Sequence, residues 1–379
     1  MTLEVKLKLG PFTDLKADVI DKGTCTGCGS CVAVCPTKVV KFIDDIPTLQ
    51  EVPGDIPDGE PPLGKCIECK LCYFVCPVTE SLEPRIQELF ISEDVFGMYL
   101  NLYKAKTEVP EIANVAQDGG IVSTILAYAF QEGLIDGAIV SVTNEEDPWV
   151  PEPKIITSYE ELLKSAGTRY SLSPNIASLA QYREAVEELL AQRPVGEDWL
   201  RLAFIGTPCQ ALGVTKMKTA IEGAEIRPAN LITLNIGLFC MENFDAMKLH
   251  KLIEEKTDLK VDQIRKMDIK KGALHIFPIG GEDAKSIPLE ETTEAVKSGC
   301  HSCEDLTAWY ADISVGSIGT PGGWSTVFVR TQKGKTILEG AARANMIKIE
   351  SLTEKGENLL RRLTSKKQET GKKYKEAHA

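Results

Sequence analysis

Cys25-Thr26-Gly27-Cys28-Gly29-Ser30-Cys31-Val32-Ala33-Val34-Cys35-Pro36 decides the fold, because its pattern is written twice. Cys66-Ile67-Glu68-Cys69-Lys70-Leu71-Cys72-Tyr73-Phe74-Val75-Cys76-Pro77 repeats the same C-x-x-C-x-x-C-x-x-x-C-P spacing. The chain has twelve cysteines, and the two runs use all but Cys209, Cys240, Cys300 and Cys303. Nothing remains for a disulfide. The opening Met1-Thr2-Leu3-Glu4-Val5-Lys6 carries no secretory signal, so a reducing, cytoplasmic setting is expected.

Three close cysteines wrap one face of a [4Fe–4S] cube, and the cysteine before proline reaches across to the other cube. That rule assigns Cys25, Cys28, Cys31 and Cys76 to one cluster and Cys66, Cys69, Cys72 and Cys35 to a second. The exchange forces the two halves against each other, as in a small α+β bacterial-type two-cluster ferredoxin domain. A pair of zinc sites would need separated C-x-x-C pairs, which the triple spacing does not supply.

The formal net charge of −12 excludes a nucleic-acid partner, which requires a basic footprint. Apolar stretches at 121–130 and 231–241 are too short to span a bilayer, so the chain is not membrane-spanning, although it could dock on a membrane complex. Three regions are expected: a ferredoxin module with a bridging segment at 1–94, a main domain at 95–350, and a charged tail at 351–379. The lysine-rich end, 366–378, reads as a solvated helix end or a disordered tail.

Within the module, residues 1–21 alternate like an edge strand, and 44–64 read as a surface loop. In the main domain, helices are expected at 121–131, 159–165, 176–192, 211–221, 244–256 and 335–344. Strands are expected at 137–142, 202–205, 231–236, 311–315 and 324–330, with a hairpin at 264–269 and 273–278. The alternation argues an α/β core on a mixed sheet.

Cys209, in Gly206-Thr207-Pro208-Cys209-Gln210, and Cys240, in Gly237-Leu238-Phe239-Cys240, both follow strands. Open α/β sheets build sites there. Cys300-x-x-Cys303 fits a third cluster, a zinc site or thiol redox chemistry, and its spacing alone does not choose. No G-x-G-x-x-G or Walker loop occurs. Gln117-Asp118-Gly119-Gly120 opens a helix whose N–H groups could receive a phosphate. Gly167-Thr168-Arg169-Tyr170-Ser171 joins a turn, a fixed cation, a ring and hydroxyls, a set suited to a pyrophosphate or a flavin. The loop from Gly316 through Gly319 to Gly323 is flexible. Read singly, each segment is ordinarily a helix cap or a turn. Of four histidines only His275 and His301 lie near these segments, and neither reads as a catalytic base.

Taken together and in order, these blocks resemble the coenzyme F420 hydrogenase/dehydrogenase beta-subunit family over about residues 95–350. Cys303-Glu304-Asp305 and Ala311-Asp312-Ile313-Ser314-x-Gly316 add to the match. The fused module is most similar to the formate dehydrogenase beta subunit or the F420H2 dehydrogenase input subunit. The resemblance implies an archaeal, methanogenic oxidoreductase subunit with an α/β mixed-sheet flavin domain. It implies FAD at Gln117–Gly120, Gly167–Ser171, Gly206–Pro208, Gly316 and Gly319. It also implies a cluster on Cys209, Cys240, Cys300 and Cys303, making three [4Fe–4S] clusters, with coenzyme F420 as substrate. Hydride would pass between F420 and FAD, and single electrons to or from a partner subunit or soluble ferredoxin. Two other readings stand beside it: a ferredoxin-fed flavoprotein reductase of an organic substrate, and a polyferredoxin-like electron-transfer subunit with no substrate site. No cysteine is spare for nickel, molybdenum or tungsten, so the wire must end on another protein.

Overall fold

The computed structural model describes residues 10–51, 64–81, 86, 92–144, 146–182, 191, 200–219, 228–281 and 283–378. The module begins with α1 (Phe12–Leu15), prolonged to Ile20 by a wider turn. Over 12–20 the expected edge strand is therefore a helical segment, and residues 1–9 lie outside the described residues. The reason is spacing: Phe12, Leu15 and Val19 recur at three and four residues and are all buried. Each cysteine run then forms one helical turn, α2 (Ser30–Ala33) and α3 (Leu71–Phe74). The residues before them, Gly29 (φ 94°) and Lys70 (φ 66°), are left-handed, and Val34 and Val75 after them share φ −91°, ψ −3°. The sequence repeat is thus a backbone repeat.

Strands β1 (Val40–Ile43) and β2 (Ile46–Leu49) make a hairpin in the first part of the expected loop. Asp44 (φ 48°) and Asp45 (φ 62°) both adopt positive φ, as the turn twist that suits a two-residue hairpin demands. The rest of that loop, 52–63, lies outside the described residues.

The main domain is built on an eight-stranded mixed sheet. Its strands are β3 (Asn101–Thr107), β4 (Gly137–Thr143), β5 (Pro151–Ile156), β6 (Leu202–Gly206), β7 (Ile232–Leu238), β11 (Ile313–Gly316), β12 (Ser325–Val329) and β13 (Ile347–Ser351), in the order β13-β3-β12-β11-β7-β6-β4-β5. β4, β6, β7 and β11 run parallel, so their carboxyl ends share one edge. β6 is buried at every residue, as a parallel strand covered on both faces must be. One face carries the short α4 (Pro110–Val115), α5 (Ile121–Gln131), the capped α6 (Tyr159–Ser165) and α9 (Gln332–Arg343). The other face carries α7 (Pro208–Thr219) and the turn at Asn175–Gln181. A side sheet of β8 (Ile264–Lys270), β9 (Ala273–Pro278) and β10 (Lys285–Pro288) packs on α8 (Ala246–Thr257).

Of the long helix expected at 176–192, the first part is a 3-10 turn, and most of the remainder lies outside the described residues. The charged end is α10 (Glu354–Ala377), capped by Thr353, whose hydroxyl accepts from the Gly356 N–H. Leu360, Thr364, Lys367 and Gly371 are buried along one side. The end is thus a packed helix with one solvated face. Among the described residues no helix is long and apolar enough to cross a membrane.

Candidate electron-transfer site

The first thiol set rims a cavity lined by Cys25, Cys28, Cys31 and Cys76, with Leu15, Val19 and Val78. The second rims a cavity lined by Cys35, Cys66, Cys69 and Cys72. Each set draws three cysteines from one run and one from the other. Burial pushes the Cys28 and Cys72 thiols up to about 12 and Cys76 to about 11. Neighbouring thiols of the same set add to the rise at Cys28 and Cys72. Among the described residues no three His, Cys, Asp or Glu side chains converge on a single-ion site. Each cavity presents four thiols, the donor set that a [4Fe–4S] cluster requires.

The dispersed cysteines also come together. Cys209 stands at the start of α7, just past β6, and Cys240 just past β7. Cys300 lies in the 3-10 turn Ser298–Ser302 and Cys303 immediately follows it. Burial raises Cys209 and Cys300 to about 12; Cys303 adds to both, and Cys209 adds to the rise at Cys300. Cys240 is raised well above its ordinary value by burial, and more by Cys300, Cys209 and Cys303. The three sets are contiguous: Cys209 feels the charge of Cys28, and Cys31 that of Cys72. The second set reaches the surface, where Ile67, Glu68, Cys69 and Lys70 are exposed.

The module is seated tightly on the main domain. A Cβ on Gly299 would lie 2.3 Å from the Cys25 carbonyl oxygen, and one on Gly213 would lie 2.2 Å from Ser30 Oγ. Lys297 Nζ pairs with Asp45 at 3.2 Å across the same contact.

Arg169 reaches the carboxyl edge of the sheet. Its Nη2 donates to Thr143 Oγ1 (2.7 Å) at the end of β4, and its Nη1 donates to the Ser165 carbonyl (3.0 Å). Among the described residues its Nε and the Ser171 hydroxyl are buried without a partner. Such atoms are costly unless something fills their hydrogen bonds. The Tyr170 oxygen accepts from the Ile269 N–H at 3.0 Å, while Thr168 is exposed. Gly206 ends β6, Thr207 N–H donates to Gln210 Oε1, and Pro208 opens α7. Gly316 ends β11. Gly319 turns with φ 93° against the backbone of Gly356.

Gly119 N–H already donates to Ser325 Oγ at 3.1 Å, so it is not free for a phosphate. A Cβ there would strike the Ser325 amide at 2.6 Å, so the glycine serves packing on β12. Gln117 Nε2 lies 3.4 Å from the Met267 carbonyl. Burial raises the Asp118 carboxyl, Lys270 counters that rise, and Asp268 adds to it.

Three buried cations were not readable as site residues. Arg330 donates to the Phe96, Met98 and Thr307 carbonyls and to the Ser314 and Thr307 hydroxyls. Lys216 Nζ donates to the Cys76 carbonyl (2.7 Å) and the Thr79 carbonyl (2.6 Å). Lys367 Nζ donates to the Cys240 carbonyl. The one sequence signal for Lys367 is the helical spacing of Gly356, Leu360, Thr364, Lys367 and Gly371, which places it on the packed side of α10. Asp305, in the loop after Cys303, accepts from the Trp309 N–H at 2.8 Å and caps that loop.

Comparison with known proteins agrees with this architecture. The family described as Coenzyme F420 hydrogenase/dehydrogenase, beta subunit, matches by its N-terminal part at residues 102–180 and its C terminus at 200–355. A 4Fe-4S binding domain matches residues 18–41. The chain is 38% identical to the beta subunit of coenzyme F420 hydrogenase from Methanothermobacter thermautotrophicus, over 74% of this chain and 95% of that protein. It is 34% identical to one component of the F(420)H(2) dehydrogenase of Methanosarcina mazei, over 84% of this chain and 82% of that one. A chain of the F420-reducing [NiFe] hydrogenase complex from Methanosarcina barkeri superposes with a TM-score of 0.68 at 34% identity, covering 76% of this chain and 94% of its own. With its two-run cysteine module, the chain belongs to the coenzyme F420 hydrogenase/dehydrogenase beta-subunit family.

Proposed function

We propose that this chain is the F420-linked subunit of an oxidoreductase, holding FAD at the carboxyl edge of the sheet and three [4Fe–4S] clusters on its twelve cysteines. Arg169 and Ser171 would hold FAD there, and it would supply the conversion between hydride and single electrons, which iron–sulfur clusters carry one at a time. The observation that carries the reading is the contiguity of the three thiol sets. They lead from the sheet edge through Cys209 and Cys28, then Cys31 and Cys72, to the exposed Cys69.

The residues divide the work. Arg169 and Ser171 offer their unpartnered donors to the flavin nucleotide, and the Gly206-Thr207-Pro208 turn borders the same edge. The burial of Cys28, Cys31 and Cys76 keeps water from three ligands of the first set. The Ile67–Lys70 lip forms the exit face, where a partner subunit or a soluble ferredoxin docks. The test is anaerobic purification and reconstitution, measuring iron, flavin and F420 reduction by an artificial one-electron donor. About twelve irons and one FAD per chain, with turnover of F420, are expected from the ligand count. Turnover with no flavin bound, or eight irons at full turnover, would refute this reading.

A further inference from the structure

Lysine is almost never fully buried unless its charge is compensated. Among the described residues two lysines are buried, Lys216 at 0% and Lys367 at 6% exposure. Both end on the backbone carbonyl of a cluster-set cysteine, Cys76 and Cys240 respectively. They come from unrelated elements, α7 and α10, and serve different sets. Lys216 Nζ also donates to the Thr79 carbonyl at 2.6 Å, three residues beyond Cys76. Among the described residues no buried lysine accompanies the second set, whose Cys69 is exposed.

An ammonium fixed beside four thiolates acts differently on the two redox states of whatever they hold. Reduction adds one electron and no proton, so the reduced site carries one more negative charge. A nearby positive charge in a medium of low dielectric stabilises that state more than the oxidised one. Net charge and burial around the ligands are levers on cluster potential.

We propose that Lys216 and Lys367 are positioning residues, each holding its cysteine backbone in place and raising the reduction potential of its own thiol set. The proposal rests on the three-cluster reading and adds to it which groups set two of the three potentials. The ligand bonds, and the one-electron balance of each step, are unchanged by it.

The test uses the full chain with reconstituted clusters, redox-titrated under electron paramagnetic resonance. Iron content and the number of reducible signals in the unmodified chain examine the three-cluster reading by themselves. About eight irons and two signals would fail that reading whatever the lysines do. With three signals present, Lys367→Met is expected to lower one midpoint by at least tenfold in the one-electron equilibrium constant, about 59 mV. Lys216→Met is expected to lower a different one by a similar factor. Lys367→Arg and Lys216→Arg keep the charge and are expected to keep iron and potential. Met variants with full iron and unmoved midpoints would overturn the proposal, as would both variants moving the same signal. Iron lost from Met and Arg variants alike would also overturn it, because shape rather than charge would then be the requirement.

Discussion

Replacing Arg169 by alanine removes one donor that has no partner among the described residues, and the structure bounds what that loss should do. The buried Nε is the unpartnered atom, whereas the Nη atoms already serve Ser165 and Thr143. One hydrogen bond from a charged donor to a flavin-nucleotide oxygen is worth about 1.5–3 kcal/mol. At about 1.4 kcal/mol per decade, FAD should bind roughly 10- to 150-fold more weakly. The fold should change little, because Arg169 is only partly covered and water can replace its Nη bonds at the rim. Arg169→Lys keeps the charge without the planar fork and should fall between. The assay is a flavin-fluorescence titration of the deflavinated chain, with iron measured on the same samples. An affinity within about twofold of the unmodified chain, at full iron, would refute the assignment of Arg169 to the flavin.

Cys209→Ala should remove about four irons per chain and leave the other eight, by the ligand count of a cubane; iron analysis that still returns twelve excludes Cys209 as a ligand. Arg330→Met abandons five hydrogen bonds inside the protein and should destabilise the chain by about 3–5 kcal/mol, as loss of a buried charged anchor does. At about 2–4 °C per kcal/mol for a domain of this size, calorimetry should find the melting point lower by at least about 6 °C. Gly299→Ala forces a methyl group into the Cys25 carbonyl, so it should loosen the module and slow electron delivery to an acceptor at the exit face. Stopped-flow reduction of the second cluster at an unchanged rate would show that this contact does not matter.

How much of this was legible in the sequence depends on the kind of signal. The doubled cysteine spacing is local and stereochemically strict, so it yielded both cavity-lining sets. Helices 121–131 and 159–165 were legible to the residue, and the structure opens the second with Ser158, whose hydroxyl accepts from the Glu161 N–H. β5 escaped because Pro151 and Pro153 argue against a strand, yet it lies at the sheet edge, where proline is tolerated. β3 and β13 escaped because their lysines and Glu350 pair across the outer edge and hide the alternation. The role of α10 was illegible by composition, since a helix that buries one lysine among many exposed ones looks solvated throughout. The gathering of Cys209, Cys240, Cys300 and Cys303 is a property of strand order, which spacing along the chain does not encode.

The absence of room for a single methyl group between Gly299 and Cys25, and between Gly213 and Ser30, bears on kinetics. A carrier joined to its reductase by a tether must swing, and its turnover slows as the medium thickens. This module has no such stroke to make. Electrons should cross from the sheet edge to the outer thiol set at a rate indifferent to solvent viscosity, with only the encounter at the Ile67–Lys70 lip feeling it.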